Sequence, residues 1–299
     1  MSAEQTAGDT GVALSVVLAV EDSTANVPAI VQRLSVDPSR RELLLCCADP
    51  VLWSDLPPEG PGLRVLRGTP GSHVPQLWRD GIVAARAPWV ALLSAHVVPA
   101  AGWLDALLTQ RDDDALAGIG GWFSQHPNAD ACDWAIYMLR YAAFARPRDA
   151  VVSHIAADNA AYRRDAVMAH PDLVTRGFWE VEYHVRFVAQ GLRLQLAAGL
   201  EVQHVNRYSA RRFAQQRRDH GFAFGNDRAR RVGRARACLL ALLAPAVPAV
   251  LLAKVFARAR RHGLLARAPL AAWPWLAWFA CHWAWGEARG TLRAIKGSD

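Results

Sequence analysis

One stretch, Pro88–Leu108 (PWVALLSAHVVPAAGWLDALL), constrains the fold more than any other. An apolar run of strand length, Trp89 to Leu93, breaks into Ser94-Ala95-His96, and after Pro99 and Gly102 the chain resumes as an amphipathic helix at Trp103. Uninterrupted apolar runs of this length belong to strands buried on both faces. Open α/β sheets collect ligands at the carboxyl ends of such strands, so this strand delivers Ser94 and His96 to a site. The preceding chain repeats the same unit. Ala13–Val20 is a β-branched run ended by Glu21 and Asp22, and Asn26 is placed to cap a helix through Ser35. A strand over Glu42–Ala48 ends at Asp49, and one over Leu63–Leu66 leads through a Gly/Pro turn into a helix over Val74–Ala85. The alternation predicts an α/β fold with a mostly parallel sheet covered on both faces.

With 299 residues, 52% of them apolar, the chain can bury a substantial core, which excludes a disordered protein. Its net charge of +7 is unevenly spread. From Val205 onward 18 Lys and Arg face 4 Asp and Glu, giving +14, whereas the first 204 residues carry 16 against 23, or −7. A segment this basic points to an anionic partner, phospholipid or nucleic acid. The five cysteines have no metal or redox spacing, which fits a reduced, cytosol-facing chain. The polar residues 1–12 are expected to be disordered and to carry no signal peptide.

Further along, Asp112 and Asp114 form a literal DxD, but it follows a helix rather than a buried strand and reads as a solvated helix end. A strand over Ile119–Phe123 precedes a helix over Asp130–Phe144, whose aromatics at three- and four-residue spacing read as core. Ile155–Asp165 (IAADNAAYRRD) places Asp158 and Asn159 in a turn or a helix cap. In Gly177–Leu194 (GFWEVEYHVRFVAQGLRL), Trp179, Glu180 and Glu182 open a helix. A carboxylate there, beside aromatics, has the partly desolvated setting of a general base, or else is a helix-start acid favoured by the macrodipole.

These elements together resemble a family 2 glycosyltransferase. The strand ending in a DxD-type triplet, followed by Pro and a Gly-Trp-Leu helix, is that family's central pattern, with Ser94 and His96 standing here where it has two aspartates. The resemblance runs from about Ser15 to Arg231 and implies the type A glycosyltransferase fold over residues 13–232. It implies inverting transfer of a sugar from a nucleoside diphosphate sugar to an acceptor hydroxyl. On this match Glu180 and Glu182 fall at and beside the catalytic acidic position. Asp49, Ser94, His96, Arg217 and Arg218 fall on the donor side, and Asp158, Asn159 and Trp179 on the acceptor side. The family's Mg²⁺ or Mn²⁺ would have to be held by His96 and His204, or else Arg217 and Arg218 would neutralise the leaving diphosphate directly. A catalytically inactive binding module is the alternative that the replaced aspartates raise. The acceptor class stays open among lipid, polysaccharide and small molecule.

Residues 233–299 read as a membrane-associating helical tail. Ala237–Ala253 (17 residues) and Ala268–Gly286 (19 residues) are free of charged groups, and the second holds five of the twelve tryptophans. Seventeen residues make a helix of about 25 Å, short of a hydrocarbon core of roughly 30 Å. Arginines flank both segments and fill the loop between them, so a spanning hairpin would leave one basic cluster on the wrong side. Two helices in the cytosolic leaflet of an anionic membrane fit better than a spanning hairpin or a buried pair. The aromatics cluster instead of alternating with arginine, which argues against nucleic acid. A chain ended near Arg236 is then expected to stay soluble and bind donor.

Overall fold

The computed structural model describes residues 12–34, 41–109, 113, 115–205 and 209–297. The tempting Asp112 and Asp114 fall outside them. The chain divides into two compact units: residues up to Ser124 with Arg146–Val205, and Gln125–Ala145 with the chain after Val205.

The first unit is built on strands β1 (Leu14–Val20), β2 (Arg41–Cys47), β3 (Leu63–Arg67) and β4 (Trp89–Ser94), with helices α1 (Val27–Leu34) and α2 (Val74–Ala84) between them. Every residue of β1 and β4 is buried, as their unbroken apolar runs require. The short strand β5 (Val97–Pro99) and helix α3 (Trp103–Leu108) follow, then β6 (Leu116–Gln125). After helix α4 (Ala131–Tyr141) come β7 (Ala150–Val152), β8 (Asn159–Arg163), α5 (Arg164–Met168), α6 (Pro171–Val174), α7 (Glu180–Ala189) and β9 (Arg193–His204). The sheet runs β3-β2-β1-β4-β8-β6-β9-β5, and β7 also pairs with β9.

The α/β class is as expected, but the sheet is mixed. Pairings are parallel from β3 to β4, where helical crossovers return the chain, and antiparallel at β4–β8, β6–β8, β5–β9 and β7–β9. The change falls at β8, which enters from a loop instead of a helical crossover and so runs against β4.

The second unit holds α4 and the helices α8 (Ala210–Val232), α9 (Arg234–Leu242), α10 (Val247–Arg261) and α11 (Ala272–Lys296). Asp130 and Asp133 close a capping box on α4, and a short 3₁₀ turn, Ala142–Phe144, ends it before the helix expected through Phe144 is complete. The pairing of α8 with α11 corrects the boundary expected at residue 233, because α8 belongs with the C-terminal helices. Its cause is in four glycines. A Cβ on Gly221 or Gly225 would overlap the Trp283 or Glu287 carbonyl oxygen, and one on Gly286 or Gly290 would overlap that of Arg218 or Phe222. Two Gly-xxx-Gly stripes therefore let the backbones touch. Phe213 stands edge-on to Phe279 at 4.8 Å in the same interface. Buried Glu287 accepts from Trp283 Nε1 at 2.9 Å and pairs with Arg228 at 2.5 Å. The tryptophan-rich segment is thus largely a packing helix, with Leu276, Phe279, Ala280 and Ala284 buried. Among the described residues no single helix is long and apolar enough to cross a membrane, and α9 with α10 passes that test only as a pair bent by 48°.

Candidate functional site at the carboxyl end of the central strand

The backbone of Ser94-Ala95-His96 is pinned from three sides. Ala95 N donates to Ala19 O at 2.9 Å, Asn26 Nδ2 donates to Ala95 O at 2.8 Å, and Val205 N donates to His96 O at 3.1 Å. Asn26 holds the cap position expected of it, just before α1, with its carbonyl accepting from Ile30 N at 3.0 Å, and its side-chain amide also holds the triplet. One residue further back in β4, Trp78 Nε1 donates to Leu93 O at 2.9 Å. Such anchoring fixes Ser94 and His96 to the framework of the sheet.

Three more polar residues stand beside the triplet. His96 Nε2 lies 3.4 Å from Asp22 Oδ1, and both side chains are nearly sealed from solvent. Asp22, two residues past β1, was legible only as one of the two acids that end the first strand run. In the structure it brings a carboxylate back to the end of β4, from the neighbouring strand. Buried Asp158 directly precedes Asn159, which pairs with Leu93, the residue before Ser94. Buried His204 pairs in the backbone with Val97, one residue past His96. Ser94 Oγ is fully buried with no hydrogen-bond partner among the described residues.

Asn159 has a different role from the acceptor contact expected of it. Its Oδ1 accepts from Trp103 Nε1 at 2.7 Å, and its Nδ2 donates to Trp122 O and Leu200 O at 3.0 Å each. Both amide hydrogens are used inside the core, and a Cβ on Gly121 would strike that amide. Asn159 therefore ties α3 and three strands together behind the site. Asp49 caps the 3₁₀ turn Pro50–Asp55, accepting from Val51 N at 3.0 Å. Beyond that turn an open cleft of about 970 Å³ runs along β3, lined by Trp53, Leu66, Arg67, Gly68, Arg79 and Asp80 among others, with the Arg67 guanidinium 5.0 Å above the Trp53 ring.

At the start of α7 the two glutamates separate. Glu182 is tied by both carboxylate oxygens to Arg176. Glu180 holds the first helical position, next to half-exposed Trp179, whose Nε1 donates to Arg176 O at 3.2 Å. Below it lies a pair not foreseen from sequence, Tyr162 Oη and His184 Nε2 at 3.0 Å, both buried. Burial, followed by the charges of Glu180 and Asp158, pushes the Tyr162 phenol well above its ordinary pKa. Burial and nearby His154 bring His184 down to about 3, so its ring is neutral.

Arg217 and Arg218 lie in the second unit. The Arg217 guanidinium sits 4.2 Å above the Trp283 ring, and burial, with the charge of Arg140, lowers its pKa to about 10. Arg218 donates to Gln215 Oε1. A metal is a poor fit to the donors present. No three His, Cys, Asp or Glu among the described residues are grouped to hold an ion. His96 Nε2 faces the Asp22 carboxylate, and a set rich in imidazole suits Mg²⁺ poorly.

Fold and site together define an α/β protein with a buried polar cluster at the carboxyl end of its central strand. Compared with known protein families and with curated proteins, the sequence matches none.

Proposed function

We propose that the chain is an inverting glycosyltransferase, moving a sugar from a nucleoside diphosphate sugar to an acceptor hydroxyl. The observation that carries this reading is the placement of Ser94 and His96 at the carboxyl end of β4, in the parallel half of the sheet, with the Asp22 carboxylate 3.4 Å from His96 Nε2. Glu180, at the first position of α7, falls on the family's catalytic acidic position by the resemblance. In this reading Glu180 takes the acceptor proton as the acceptor oxygen bonds to the anomeric carbon. The bond from that carbon to the diphosphate breaks on the opposite face, and the electron pair leaves with the diphosphate.

The leaving group develops negative charge at the end of β4, where the resembled family keeps its aspartates and metal. Here His96, with Nε2 3.4 Å from Asp22 Oδ1, stands at that place. No step in this scheme passes through a metal. Asp49 and the cleft along β3 are the candidates for the nucleotide end of the donor.

Glu180→Gln keeps the size of the side chain and removes the base. Turnover should fall about a hundredfold or more while donor binding, read by thermal shift across a panel of nucleotide sugars, is unchanged. Normal transfer by Glu180→Gln together with loss in Glu182→Gln would move the base two residues along α7. The replacement of both triplet aspartates favours a second reading, a binding module without transfer. Donor binding without even slow donor hydrolysis by the unaltered chain would establish it.

A further inference from the structure

We infer that the outer face of α9 and α10 docks on an anionic phospholipid bilayer, with the bent pair lying in the plane of the headgroups. The two helices are inside out by the standard of a soluble protein. Their buried positions are small, Ala237, Ala244, Val255 and Ala259, while Leu239, Leu242, Leu243, Val250 and Phe256 are exposed. Leu242 is 78% exposed, at the turn where the pair bends. Ala246, Ala249 and Ala253, also exposed, fill the intervals, so the apolar face runs unbroken along both helices at three- and four-residue spacing.

Charge selects the occupant. From Arg228 to Gly286 the sequence holds ten Lys and Arg and no Asp or Glu. Arg234 and Arg236 stand at one end of the apolar face, with Lys254, Arg258, Arg260 and Arg261 at the other. That is the pattern of an interfacial helix: an apolar face entering the acyl boundary, framed by cations at the level of anionic headgroups. Length and charge oppose a crossing. At 1.5 Å per residue α9 is about 14 Å long and α10 about 22 Å, each short of a hydrocarbon core of roughly 30 Å. Carrying the pair across would also drag one basic cluster through the lipid. The inference does not rest on sugar transfer.

The test uses the full chain and vesicles of phosphatidylcholine with or without phosphatidylglycerol. The chain should sediment with the anionic vesicles, bind neutral ones more weakly, and be partly released by high salt, because the attraction is screened over about 8 Å at physiological ionic strength. Leu242→Glu with Leu243→Glu changes only exposed positions. It should leave the circular dichroism and melting temperature unaltered while weakening vesicle binding roughly tenfold or more. Arg258→Gln with Arg260→Gln and Arg261→Gln should flatten the salt dependence. No sedimentation with anionic vesicles would overturn the inference, as would binding untouched by the leucine changes. So would a dimer in solution that the leucine changes dissolve, since the face would then belong to a second copy.

Discussion

His184 shows most clearly how a single side chain in this protein couples to its surroundings. Its buried ring stacks on Tyr162, with Tyr162 Oη at 3.0 Å from Nε2. Its folded pKa lies near 3, against an ordinary 6.5. Above pH 6.5 the ring is neutral in both states and stability is indifferent to pH. Below it the unfolded chain takes up a proton that the folded chain refuses until about pH 3, so stability falls as pH falls. Between pH 6.5 and 5 the loss from this one group is about 2 kcal/mol. Urea unfolding midpoints over that range should show it, and His184→Gln should remove it. If the two proteins have parallel pH profiles, the ring is not held neutral. Sequence reasoning reached Glu180 but not this pair, because a histidine inside an apolar helix pattern gives no sign of whether a partner faces it across the sheet. Asp22 was harder to see for the opposite reason. It was visible, but only the β1–β4 pairing shows that it faces His96.

Elements were legible where one strand or helix repeats a simple period. The buried run Trp89–Leu93 became β4 with its carboxyl end at Ser94, and the alternation before it became the parallel half of the sheet. What escaped was pairing that no period encodes. The reversal at β8 depends on a long-range neighbour, and the close approach of α8 to α11 depends on residues without side chains, which a hydropathy count passes over. The spacings Gly221–Gly225 and Gly286–Gly290 were nonetheless on view. A methyl group at Gly286 or Gly290 meets a carbonyl oxygen of α8 instead of a movable side chain, so only the helix axes can yield. Gly290→Ala should destabilise by at least the roughly 1–3 kcal/mol typical of overpacking, despite the better helix propensity of alanine. Gly297→Ala is the control, because its Cβ would meet nothing nearer than Arg293 O at 3.5 Å. Equal melting temperatures for the two variants would mean that the helices are not in backbone contact.

For the whole molecule, the division into units decides what can be cut away. Reading the sequence as a catalytic domain with a dispensable tail leads to the expectation that a chain ended near Arg236 is soluble and binds donor. The structure opposes this. Such a chain keeps α4 and α8 but loses α11, which covers Gly221, Gly225 and Phe213 on α8 and supplies Glu287 to Arg228. A 23-residue helix with a buried phenylalanine and two glycines would stand with its packing face in water. Its low intrinsic propensity at those glycines cannot hold it alone. Ending the chain after Val205 is no remedy, because Gln125–Ala145 also belongs to the second unit, and α4 would then expose Cys132, Ala135, Ile136 and Met138. Both shortened chains should therefore aggregate or be cut by protease within α8 or α4 under conditions where the full chain is resistant. By contrast, Leu242→Glu with Leu243→Glu, which only makes α9 polar, should leave the protease pattern as it was. A chain ended after Arg236 that is monomeric and protease-resistant would show that α8 folds without α11, and the second unit would then have to be redrawn as a tail.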